Sequence, residues 1–146
     1  MASVVYNELK RANAAGEIDL NADDIRGRLV MSNTTCDTEN DGVANISDFT
    51  TVDACDDTGY SDFALANELV RKDDANDRAE FDADDASVAN NGDASRNVVG
   101  VLIYKYVDGT DANDIPCFYL EFTSPVTLDG ATLNIQWDAE GLAYFS

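Results

Sequence analysis

Residues Val98-Val99-Gly100-Val101-Leu102-Ile103-Tyr104-Lys105 form a nearly unbroken apolar run, rich in Val, Ile and Tyr. Asn97 precedes it, and the turn-forming stretch Asp108-Gly109-Thr110-Asp111-Ala112-Asn113-Asp114 follows it. Such a run reads as a strand over Asn97 to Val107 with both faces covered, so the chain must place material on each side of it. Cys117 to Thr123 supplies a second apolar segment, expected to return antiparallel to the first. Thr132 to Trp137 alternates strictly, which predicts Leu133, Ile135 and Trp137 inward and Thr132, Asn134 and Gln136 outward.

Shorter segments repeat this pattern. Ile25 to Ser32 reads as a strand, with Leu29 and Met31 on one face and Arg28 and Val30 on the other. Arg78 to Phe81 and Ser87 to Ala89 are shorter strands, the first preceded by a turn at Asp73–Asp77 and the two separated by a turn at Asp82–Asp85. Phe63 to Val70 fits helix or strand on pattern alone. Residues 1–16 hold a short amphipathic helix, expected over residues 3–15 with Ser3 as N-cap and Gly16 as stop. Residues 33–57 are long and polar and read as an acidic loop insertion. The sum is one all-β domain over residues 1–146. It is expected to be an antiparallel β-sandwich, jelly-roll-like, with a short N-terminal helix.

Charge narrows the function. The chain has 29 acidic and nine basic residues and no His, a net charge of −20. That excess repels nucleic-acid phosphates and anionic membranes, so docking partners are expected to be basic or cation-mediated. Poverty in Lys and wealth in Asp predict a halophilic surface, because molar salt shortens the Debye length to about 3 Å. The alternative is an ordinary acidic solvated shell. No apolar run is long enough for a membrane helix, and the N-terminus lacks a secretory pattern.

Without His, the usual general base and the Ser-His and Cys-His pairs are missing, and no Gly-rich phosphate loop or Gly-x-Ser-x-Gly elbow occurs. No enzyme activity is expected. Asp37 to Asp48 has the spacing of a calcium loop: carboxylates at positions one, three, five and twelve, and Gly at six. Asp37, Glu39, Asp41 and Asp48 would offer side-chain oxygens to Ca2+, Val43 its carbonyl, and Asn45 a direct or water-mediated ligand. Against this stand the long Glu39, the small Ala44 and the short Asp48; the alternative is an acidic solvated loop. Cys36 and Cys55 bracket the loop and are a disulfide candidate, with Cys117 reduced; the alternative is three buried thiols. The apolar tail Leu142 to Ser146 must tuck into its own domain or dock on a neighbour.

An ordered set of landmarks spans most of the chain: Asn7-Glu8-Leu9-Lys10, Gly16 to Leu20, Ser47-Asp48-Phe49, Gly59-Tyr60, Asp73 to Asp85, Val98 to Lys105, and Leu133 to Leu142. In this order they resemble a family of small structural proteins of tailed viruses and phages, read as capsid decoration or cement proteins. The resemblance favours strand for Phe63 to Val70. It implies a non-enzymatic virion protein, made in the host cytoplasm and mounted on the capsid exterior against the major capsid protein. A homo-oligomer is expected, a trimer in preference to a dimer. The alternatives are a tail, fibre-base or head–tail connector component, or a calcium-dependent surface adhesion module.

Overall fold

The structure, a computed structural model, describes residues 3–145. Its centre is a five-stranded antiparallel sheet. The strands are β1 (Ser3–Val5), β2 (Ile25–Met31), β3 (Phe63–Ala64), β7 (Val98–Lys105) and β8 (Ile115–Val126), in the order β1-β8-β7-β2-β3. A three-stranded sheet is built from β4 (Leu69–Asp73), β5 (Arg78–Asp82) and β10 (Ala143–Phe145), in the order β10-β5-β4. A two-stranded ribbon pairs β6 (Ala86–Val88) with β9 (Leu133–Ile135). The chain is all-β and sandwich-like, with one short helix, α1 (Asn7–Ala14).

Alternation in the central strands divides the interior into two cores. Leu29, Met31, Val101, Ile103, Phe118 and Leu120 face the smaller sheets and meet Phe81, Val88, Ile135 and Ala143. Phe81 and Phe118 pack edge-on across the layers, ring centres 5.7 Å apart. Val30, Leu102, Tyr104 and Tyr119 point the other way and are covered by Cys36, Val43, Ile46 and Phe49. The acidic 33–57 segment is therefore the second cover of the central sheet. Asp37, Asp41, Asp48 and Asp56 face water and Asp57 is buried, while its few apolar side chains plug the core. Gly100 lies opposite Glu121 where β7 meets β8; a Cβ there would lie 2.5 Å from the Leu120 carbonyl and the Tyr119 hydroxyl.

Two expectations are corrected, and of the two alternatives for the tail the structure shows the first. The N-terminal helix does not occupy residues 1–16. The β-branched Val4 and Val5 pair with Tyr119 and Phe118 at the edge of β8, and the helix starts only after Tyr6, whose N–H is taken by the Cys117 carbonyl. Tyr6, not Ser3, is therefore the N-cap; Met1 and Ala2 lie outside the described residues. The segment Phe63 to Val70 is not one strand, because Asn67 takes a left-handed φ of 54° and turns the chain from β3 in one sheet to β4 in another. The tail is a strand: β10 pairs with β5, burying Leu142 and Ala143 in their own core, while Ser146 lies outside the described residues.

Candidate functional site

Two of the landmark segments, 73–85 and 133–142, fold onto one another. The Trp137 backbone N–H donates to Asp85 Oδ1 at 3.0 Å, and its indole N–H donates to the Asp84 carbonyl at 2.8 Å. Leu142 N–H donates to the Phe81 carbonyl at 2.7 Å. Arg78 binds Asp73, Glu80 and Glu140 and lies 4.0 Å from the ring centre of Tyr144. Arg71 joins Glu80 and Asp82 and also donates to the Ala139 carbonyl. These contacts hold β10 and the turn before it against the β4–β5 hairpin.

This latch leaves a cleft of about 180 Å³ at one end of the sandwich. Val5 and Leu120 of the central sheet line one side. Trp137, Leu142, Ala143 and Tyr144 line the other, with Asp138 on the rim. β1 and β10 are each the last strand of their sheet, so two outer strand edges flank the cleft. Tyr144 is 44% exposed, one of few large apolar side chains in water among the described residues. Such a cleft is built to receive a side chain, and an open edge to receive a strand.

The calcium-spaced loop is arranged differently from its sequence pattern. Glu39 accepts from Thr50 N–H and both the Thr50 and Thr35 hydroxyls. These bonds hold its carboxyl below the usual carboxylate range. Asp48 accepts from the Asn45 and Ala44 N–H groups at 2.9 Å each, and its carboxyl is lowered too. Val43 is buried in the core, Asn45 precedes a 3-10 turn at Ile46–Asp48, and Asp37 is exposed. Glu39, Asp41 and Asp48 line one open groove, yet among the described residues no three His, Cys, Asp or Glu side chains converge on a metal position. Calcium here would have to share Glu39 with its donors and use Asp48 through Oδ1, since both N–H bonds to Asp48 fall on Oδ2.

The cysteine pairing is corrected. Cys36 belongs to the core under the 33–57 cover, whereas Cys55 packs toward the core on the opposite face of the central sheet, and all three cysteines are free. Burial pushes Cys36 up to about 11 and Cys117 up to about 12, so both stay thiols at neutral pH.

A polar cluster that sequence spacing does not reveal joins Arg28, Tyr60, Asp62, Tyr104 and Asp111. Arg28 donates to Asp62 and Asp111 at 2.8 Å each. The Tyr60 and Tyr104 hydroxyls both donate to Asp62. The cluster ties two loops to β2 and β7, and its members are up to 83 residues apart. The only sequence signal is an Arg inside a strand. No family model, curated protein or solved structure matches the chain.

Proposed function

We propose that the chain is a non-enzymatic virion structural protein, a capsid decoration or cement protein on the outside of a tailed-virus head. The ordered set of landmark segments carries this reading. Two physical features support it: an anionic all-β body, and a cleft flanked by two open strand edges, suited to being held by neighbours. The protein would be made in the host cytoplasm and bind the major capsid protein at symmetry-related points of the lattice. Weak contacts repeated over a closed oligomer, a trimer in preference to a dimer, would sum by multivalency.

A stained gel of purified virions tests this. The expected result is a band at 15.8 kDa with intensity comparable to the major capsid protein. A faint band would point to a tail, fibre-base or connector part, and absence from virions would end the proposal.

A further inference from the structure

We infer that the cleft between β1 and β10 is a docking groove for a basic, extended segment of a partner protein, which adds a strand along β10 and inserts one apolar side chain. The groove itself does not depend on the virion reading; only the identification of its partner as a capsid subunit would.

Size sets the first condition. An engineered cavity of about 150 Å³ holds benzene, so about 180 Å³ accommodates a single medium apolar side chain rather than a bulky cofactor. The lining suits such an anchor: Val5 and Leu120 come from the central sheet, Trp137, Leu142 and Ala143 from the C-terminal latch, and Tyr144 of β10 completes the border. Backbone geometry sets the second condition. β10 pairs with β5 on one side only, and its sequence Ala143-Tyr144-Phe145 carries neither the charge nor the Pro that blunts exposed edges.

Charge selects the occupant. Among the described residues every basic side chain except Lys10 is engaged in an ion pair within the chain. Asp138 lines the groove, the one base beside it, Arg78 over Tyr144, is offset by Asp73, Glu80 and Glu140, and the chain as a whole carries −20. A second copy would bring the same charge to the same place. A segment alternating Lys or Arg with aliphatic residues is complementary instead: one aliphatic side chain enters the cleft, and neighbouring cations meet Asp138 and the surrounding acids.

The test is amide chemical-shift mapping of the full chain with the peptide acetyl-Lys-Val-Lys-Leu-Lys-Val-Lys-amide. Its analogue with Pro at the central position and an oligolysine of equal charge serve as controls. Perturbations confined to Val5, the Trp137 indole and residues 143–145 are expected from the first peptide, together with at least tenfold weaker binding of the Pro analogue. Asp138→Lys, at an exposed position lining the groove, should weaken binding about tenfold. Shifts spread over the acidic turns at 73–77 and 108–114, or equal responses to oligolysine, would overturn the proposal. So would a groove closed by self-association in sedimentation velocity. A failed virion gel with a positive peptide map would remove the capsid partner and leave the groove standing.

Discussion

Gly141 shows how closely the C-terminal latch is fitted. Its φ of +105° is open to glycine and strained for other residues, and a Cβ there would lie 2.5 Å from the Phe81 carbonyl oxygen. That oxygen accepts the Leu142 N–H, so it cannot retreat without loosening β10. Gly141→Ala should destabilise the fold by about 1–3 kcal/mol, read as a lower urea midpoint with an unchanged slope. Asp57 makes a comparable point with charge. Burial pushes its carboxyl up, but N–H donors from Asn91, Asp93 and Gly59 at 2.7–2.9 Å outweigh this and hold it at about 2. A carboxyl depressed in the folded state stabilises fully above its ordinary value of 3.8 and loses that contribution as pH falls toward about 2. Asp57→Asn should therefore lower stability at pH 7 and flatten the part of the acid-denaturation curve between about pH 4 and pH 2, measured by circular dichroism.

At the scale of elements, the 33–57 segment decides whether the central sheet is a two-sided core. Its Ile46 is fully buried against the sheet, and Tyr6 packs edge-on to its Phe49 with ring centres 5.3 Å apart. Ile46→Ala should cost about 2–5 kcal/mol, a core-sized loss from what reads as a surface loop. Urea denaturation followed by tyrosine fluorescence measures it, and a loss under about 1 kcal/mol would mean that the segment is a loose flap. The same segment governs the calcium question. Because no three carboxylates converge there among the described residues, titration calorimetry with submillimolar CaCl2 should show no saturable heat. Much of this scale was legible in sequence: β7, β8 and β9 announce themselves through apolar runs and strict alternation. β1 and β10 were not, because three-residue edge strands are fixed by the partner they pair with rather than by a pattern of their own. The left-handed turn at Asn67 hid inside a mostly apolar stretch whose pattern fits helix or strand. The candidate site was harder still. Spacing located the carboxylates of the acidic loop but not the donors that occupy them, since Thr50 reaches Glu39 across 11 residues. Likewise, the cleft joins Val5 to Leu120 and Tyr144, a juxtaposition made only by two sheets meeting.

For the whole molecule, charge is the dominant variable. The ion pairs place opposite charges within 3.4 Å of each other, so their attraction survives even at 1 M salt, where the Debye length is about 3 Å. The excess carboxylates repel one another over longer distances, and at 0.01 M salt, with a Debye length of about 30 Å, nearly all of them interact. Salt therefore removes repulsion faster than it removes attraction. Thermal stability should rise steeply from about 0.01 M to above 1 M KCl, with most of the gain in the low-salt range where screening changes fastest. Potassium chloride separates this effect from the surface-exclusion stabilisation that sulfate would add. Asp37→Lys with Asp41→Lys, two exposed positions, lowers the excess and should flatten the dependence without changing the high-salt plateau by more than about 1 kcal/mol. A melting temperature that stays level or falls across the series would show that local ion pairs, not the summed negative charge, set the stability of this fold.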